Sequence, residues 1–256
     1  MKKILTMAAV ALLAASCSND KDVITPDLGT ANAPVAIKLT QSVEGITTKA
    51  PITSGSQVEG IVVMVDVTSG HEHDWGSFNP VYKNEIDGAT KELKTRANVA
   101  GAVFTAGTET DITLTPTLYY DNAQASPKNS HITAVVPSGT IESSKVVFGK
   151  VDGLQDVMTI GADQDAGTAA SPNQDGCKLT FSHKTTQLVF AASYTSVADN
   201  KGEWAGKDVS IKSIKVLGTQ LPQSVNLTNG DVNWATASDF SVPNITTTTL
   251  STTAST

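Results

Sequence analysis

The chain is poor in cysteine, in aromatic residues and in charge. Its 256 residues include two cysteines, 5% aromatic and 17% charged residues, and the net charge is -7. Cys17 and Cys177 are too few for the disulfide framework that stabilises many small exported domains. Arg96 is the only arginine. Because phosphate binding depends on clustered Lys and Arg, the missing basic patch argues against nucleic acid as a partner.

After residue 17 the chain also lacks long runs of Leu, Glu, Lys and Ala, the residues that favour helices. Thr, Ser, Val, Ala and Gly are abundant instead, and β-branched Thr and Val suit strands. These properties predict an all-β fold. Cys177 opens a strand-like run, so we expect it to be a small buried hydrophobe.

The N-terminus has the parts of an export signal. Lys2 and Lys3 precede an apolar run from Ile4 to Ala15, and Cys17 follows the small residues at its end. At about 12 residues the run is too short to span a bilayer, which needs roughly 20. The segment resembles a bacterial lipoprotein signal, in which the chain is cut before the cysteine and the cysteine receives lipid such as palmitate. An ordinary signal peptide with an incidental cysteine is the alternative.

These features predict a signal peptide over residues 1–16, lipidation at Cys17 and a polar tether over residues 17–34. The mature chain would then be anchored at the cell outer membrane and exposed at its surface. Residues 18–22 resemble the acidic stretch that directs lipoproteins of Bacteroidota to the cell surface; a solvated tether is the other interpretation, and both can hold.

Alternating and continuous apolar runs predict strands in the body of the chain. Residues 35–41 alternate with a period of two, as in a half-buried strand, and residues 60–67 are almost continuously apolar, as in a strand covered on both faces. Asn229-Gly230 predicts a hairpin turn between residues 225–227 and 232–234. The other predicted strands are residues 91–96, 102–105, 111–115, 117–120, 131–137, 145–148, 156–160, 177–183, 186–192 and 209–216.

Strands that recur at short intervals predict a sandwich or barrel over residues 35–240. Residues 45–55 are predicted to be an exposed, flexible segment, and they include Lys49. Residues 241–256 are mostly Thr, Ser and Ala, which fits either a disordered end or the start of a truncated second domain.

The sequence assigns no metal, cofactor or catalytic residue. His71 and His73 lie in one loop, but a zinc site needs three or four ligands and the sequence offers no third. Asp163 and Asp165 resemble the front of a calcium loop whose later ligand positions do not match. His183 lacks a nucleophile motif and is expected to cap or pack at a strand end. The tryptophans and tyrosines are scattered, as in core or surface filling.

Several short segments, in their order and spacing, resemble the fimbrillin family, the lipoprotein pilins of Bacteroidales that build type V pili. The segment around Lys49 resembles the basic processing region, and Phe181-Ser182-His183 with the apolar residues that follow resembles the most recognisable motif of the family. The segments that carry the resemblance are residues 48–53, 60–63, 118–120, 132–137, 156–158, 179–184 and 188–190.

The resemblance implies a transthyretin-like antiparallel β-sandwich of Greek-key type with long loops, and a structural role in adhesion without catalysis. In the family a trypsin-like protease removes the N-terminal strand after a basic residue, more often Arg, and a strand from the next subunit fills the groove. Lys49 is the candidate processing site here. The implied partners are other fimbrial subunits, the outer membrane through lipid on Cys17, and a receptor on a host or bacterial surface. A stalk, tip or anchor role is left open.

Two other functions remain as alternatives. The first is a surface glycan-binding lipoprotein of the same envelope, and the second, weaker one is a metal-dependent enzyme. A glycan-binding protein requires aromatic side chains on one exposed face, and an enzyme requires His, Asp or Glu side chains that converge in a pocket.

Overall fold

The computed structural model describes residues 34–43, 55, 57–68, 73–105, 109–121, 128–149, 152–193, 209–245 and 248–249. These residues all belong to one compact unit that begins at Pro34. Within the described ranges the fold is all-β, as predicted, without a helix. None of the described segments forms a helix that could cross a membrane. The predicted signal peptide, most of the tether, Cys17 and Lys49 lie outside the described residues.

The strands are short, and most are separated by turns or irregular segments. They are β1 (Leu39–Val43), β2 (Gln57–Val67), β3 (Glu85–Ile86), β4 (Leu93–Thr95), β5 (Val99–Thr105), β6 (Thr110–Ile112), β7 (Leu114–Thr115), β8 (Asn129–Val136), β9 (Thr140–Glu142), β10 (Lys145–Val147), β11 (Met158–Thr159), β12 (Gln164–Asp165), β13 (Lys178–His183), β14 (Ser210–Ile211), β15 (Lys215–Thr219), β16 (Pro222–Asn226), β17 (Val232–Trp234), β18 (Ser238–Ser241) and β19 (Thr248–Thr249).

The main sheet closes on itself. Its strand order is β6-β1-β13-β11-β8-β2-β5-β7, and β12 pairs with β8 beside β11. The two ends of this order, β6 and β7, are one stretch of chain interrupted only at Thr113. Because β6 pairs with β1 while β7 pairs with β5, residues 110–115 join both ends of the sheet. All pairs in this sheet are antiparallel except β1 with β13, which is parallel.

Two hydrophobic clusters cover the two faces of this sheet. The inner cluster contains side chains from every part of the closed sheet, such as Leu39, Val62, Phe104 and Phe181. The outer cluster lies where the four-stranded sheet β17-β16-β10-β9 packs, and Val63 of β2 belongs to it. Alternate residues of β2 therefore belong to the two clusters, which confirms the prediction that this strand is covered on both faces.

Several local predictions are confirmed. β8 ends at Val136 before Pro137, β10 and β13 lie within the predicted ranges, and β16 and β17 form the hairpin around Asn229-Gly230. Gly230 has a φ of 71°, a conformation that glycine adopts without strain. Cys177 is a free, buried cysteine in the inner cluster.

Four strand predictions are wrong. Residues 111–115 are divided between β6 and β7, which have different partners. Residues 186–192 do not form a strand: pairing with β11 stops where the amide of Lys184 donates to the carbonyl of Val157 (2.7 Å), and Leu188 beyond it is 56% exposed. Residues 209–216 are divided between β14 and β15, which have different partners. Residues 117–120 form only an isolated bridge, between Tyr119 and Ala36. In each case the apolar pattern fits a strand, but the described residues provide no continuous partner for it.

Candidate functional site

The first strand is an internal strand of the closed sheet. β1 pairs in parallel with β13 on one side and antiparallel with β6 on the other. Upstream of β1, the amide of Ile37 donates to the carbonyl of Leu118 (2.9 Å), and the amide of Tyr120 donates to the carbonyl of Val35 (3.0 Å). Hydrogen bonds therefore hold the chain from residue 35 to residue 43, but only β1, from Leu39 onward, is a strand of the sheet, so the strand predicted over residues 35–41 begins later than expected.

Alternate side chains of this segment fill the core. Ile37 and Leu39 are buried in the inner cluster, whereas Lys38 between them is exposed. This alternation follows from the pleat of a strand, in which successive side chains point to opposite faces. Burial of an Ile or a Leu stabilises the fold by about 1.5–3 kcal/mol each, so the segment contributes a substantial part of the core.

Gln41, the next inward-facing residue of the segment, adds a polar contact. It is buried, and its Nε2 donates to the carbonyl of Thr105 and to Oγ1 of Thr110 (2.8 Å). These bonds join β1 to the ends of β5 and β6. Its Oε1 has no hydrogen-bond partner among the described residues.

Removal of β1 would open a slot with two free edges. β13 and β6 would each lose a row of backbone partners, and Leu179, Phe181 and Ile112 would lose apolar cover. Free edges with an apolar trough between them bind an added strand readily. The candidate processing residue Lys49 follows β1 in the sequence and lies outside the described residues.

Residues 156–158 and 179–184, which are separated in the sequence, meet at the end of β13. Nδ1 of His183 lies 2.6 Å from Oδ2 of Asp156, whose side chain is almost fully buried. Thr185 donates its hydroxyl to Oδ1 of the same carboxylate (2.9 Å), and the amide of Val157 donates to the Thr185 hydroxyl oxygen (3.1 Å). The carboxylate thus connects the segment before β11 with the end of β13. The hydroxyl of Ser182 lies 3.4 Å from the carbonyl of Thr159.

A second cluster combines residues that are far apart in the sequence. Nε2 of His73 lies 2.8 Å from Oδ1 of Asp163, and Nδ1 of His131 lies 2.7 Å from Oδ2 of the same carboxylate. The two imidazole rings are stacked, with centroids 4.7 Å apart and planes 18° from parallel. Each residue is partly buried. The sequence pattern paired His73 with His71 and Asp163 with Asp165, and only the fold brings His73 and Asp163 to His131.

The aromatic residues divide between core and surface. Trp75 and Tyr120 are buried, and the hydroxyl of Tyr120 lies 3.6 Å from Sγ of Cys177. Burial raises the pKa of the Cys177 thiol above its usual value, with a smaller opposing effect from the Tyr120 hydroxyl. Trp234, in contrast, is 42% exposed. Trp204 lies outside the described residues.

Trp234 lines an apolar groove with a volume of about 620 Å³. Its walls come from the irregular segment after β13 and from β15, β16 and the stretch after β18. Exposed Leu188 and Phe190, within the segment that does not form the predicted strand, contribute to it.

Comparison with known proteins identifies no relative of this chain. No family model matches the sequence, and no curated protein or solved structure matches it.

Proposed function

We propose that the chain is a structural subunit of a surface fimbria, exported as a lipoprotein and assembled by strand exchange after proteolysis near Lys49. One observation carries the proposal: β1 (Leu39–Val43) is an internal, core-filling strand of the sheet, and the candidate cleavage site Lys49 lies six residues after its end. A cut there would leave the strand held by hydrogen bonds and packing alone, so that a neighbour's strand of the same pattern can replace it.

Lipid on Cys17 anchors the uncut subunit to the outer membrane and leaves with the strand when the chain is cut, because both lie before Lys49. A subunit that is not cut at Lys49 serves as the anchor of the fimbria.

Limited trypsin treatment of the full chain tests the proposal. We expect the wild-type chain to be cut after Lys49. It should then form a ladder of oligomers on a gel, and these oligomers should dissociate only when the sample is heated. Lys49→Gln is the matched control, and it is expected to remain uncut at this site and monomeric. A wild-type chain that is cut at Lys49, releases its N-terminal fragment and stays monomeric contradicts strand exchange.

The apolar groove favours a second candidate function, a surface glycan-binding lipoprotein. Trp234 and Phe190 expose aromatic surface along its walls, and aromatic faces stack on sugar rings. This function predicts that soluble polysaccharide quenches tryptophan fluorescence in the wild type and not in Trp234→Ala. Equal quenching in both proteins contradicts a glycan site in this groove.

A further inference from the structure

His73, His131 and Asp163 place three metal-ligating atoms within 4.8 Å of one another. We propose that they form a binding site for one divalent transition-metal ion of the zinc class. The site is separate from β1, and the inference does not depend on strand exchange.

The fold positions the three ligands from different parts of the chain. His131 lies on β8, where it pairs with Val65 of β2 on one side and Asp165 of β12 on the other. Alternation along β8 places it on the face opposite Ile132, which belongs to the inner cluster. Asp163 directly precedes β12 and follows a bend at Gly161, whose φ is 76°.

His73 is held by the loop that follows it. Trp75 is buried in the outer cluster and meets the His73 ring edge-on, with centroids 6.3 Å apart. The Asp74 carboxylate accepts hydrogen bonds from the amide of Gly76 (2.7 Å) and the hydroxyl of Ser77 (2.6 Å), and these bonds close the turn. They also lower the pKa of Asp74, the Ser77 hydroxyl having the largest effect. The imidazole is thus directed at Asp163 from an anchored backbone.

The donor set suits zinc. Two imidazole nitrogens and one carboxylate oxygen are the ligands of many zinc sites that keep one position open for water. A tetrahedral ion at 2.0–2.1 Å from each ligand requires ligand atoms about 3.3 Å apart. The two rings lie on either side of the Asp163 carboxylate. Their nitrogen-to-oxygen distances, 2.8 Å and 2.7 Å, are shorter than the separation that a bound ion requires. Small rotations of the side chains would open this cluster around an ion.

To bind the ion, Nε2 of His73 and Nδ1 of His131 would present lone pairs to it, and each ring would then be neutral with its proton on the other nitrogen. Side-chain exposures of 29% for His73 and 18% for His131 leave a path for the ion, whereas Asp163 is 7% exposed. The ion would join the loop at residue 73 to β8 and to the segment before β12.

Zinc titration of the full chain tests the proposal. All proteins carry Cys17→Ser, because the Cys17 thiol would compete for zinc. We expect one Zn²⁺ per chain by calorimetry, a rise in melting temperature with Zn²⁺ concentration, and a visible Co²⁺ spectrum of tetrahedral intensity. His73→Gln and His131→Gln keep a hydrogen-bonding amide beside Asp163 and are expected to weaken Zn²⁺ binding by more than about 100-fold, since even outer-shell changes weaken metal binding by 10- to 100-fold.

His183→Gln is the matched control. His183 is also bonded through Nδ1 to a buried Asp, and its side chain has the same 18% exposure as that of His131. Zn²⁺ affinity is expected to be unchanged in this variant. The proposal is overturned if the Cys17→Ser chain binds no Zn²⁺, if the His73→Gln/His131→Gln double variant binds it equally well, or if His183→Gln weakens binding as much. If His131→Gln does not fold, the same decision rests on His73→Gln, which changes a loop.

Discussion

Leu39→Ala tests how strongly the first strand is held. Leu39 is 2% exposed and packs in the inner cluster, and its backbone pairs with Ile112 of β6. Truncation of a buried Leu to Ala costs about 2–5 kcal/mol, because it removes transfer free energy and leaves a cavity. In the uncut chain we expect the free energy of unfolding in urea to fall by this amount.

In the cut chain, the same loss of free energy weakens the binding of the strand to the rest of the protein. If the strand is then held without a covalent link, a loss of about 2–5 kcal/mol weakens its affinity roughly 30- to 4,000-fold, since 1.4 kcal/mol corresponds to a factor of ten. A recognition site for a sequence-specific protease, placed over residues 47–51, makes the cut unambiguous. Fluorescence anisotropy of a labelled peptide of residues 34–43 then reports how readily the peptide enters the slot.

Lys38→Ala is the control, because Lys38 lies on the same segment and its side chain is exposed. We expect it to change stability by no more than about 0.5 kcal/mol and to leave peptide binding unaffected. The reasoning is refuted if Leu39→Ala destabilises the uncut chain while the Leu39→Ala peptide binds the cut protein as tightly as the wild-type peptide. It is also refuted if the cut protein binds neither peptide.

Three further predictions follow from the core. Cys177 is expected to resist iodoacetamide in the folded chain, because burial removes access and raises its pKa, and to react once urea unfolds the protein; rapid labelling under native conditions contradicts this. Gly60→Ala should lower the urea midpoint far more than Gly101→Ala, because a methyl group at Gly60 would lie 2.5 Å from an aromatic carbon and 2.6 Å from a carbonyl oxygen, whereas at Gly101 its nearest neighbour is 3.6 Å away. Asp156→Ala should destabilise the fold by about 1–3 kcal/mol, because His183 and a neighbouring hydroxyl lose their acceptor, and a change below 0.5 kcal/mol would refute this role.

Local periodicity predicts those strands whose environment is simple. The alternation over residues 35–41 and the continuous apolar run over residues 60–67 each reflect burial on one or two faces, and residues 39–41 and 60–67 lie in the sheet. The Asn229-Gly230 turn was predictable for the same reason: its backbone conformation depends on the residues in the turn itself.

Apolar patterning fails where the described residues provide no partner strand. Residues 186–192 include an apolar run typical of a strand, yet the described structure gives them no continuous neighbour. A strand is stabilised by pairing, and propensity alone does not provide it.

The candidate metal cluster was beyond sequence analysis for a related reason. His131 and Asp163 are 32 positions apart, and His73 lies in a third segment. Each residue by itself resembles an ordinary surface or strand-end residue. They converge because β12 and the loop that contains Trp75 both pack beside β8.

The sequence by itself determined the all-β class, the alternation of the first strand, the double cover of β2 and the burial of Cys177, because these depend on composition and on neighbours within a few residues. Only the tertiary structure decided that residues 110–115 close the sheet, that β1 lies between β13 and β6, and that two histidines share one carboxylate. Those arrangements depend on which distant segments pair, and pairing follows from the packing of the whole core and not from any local pattern.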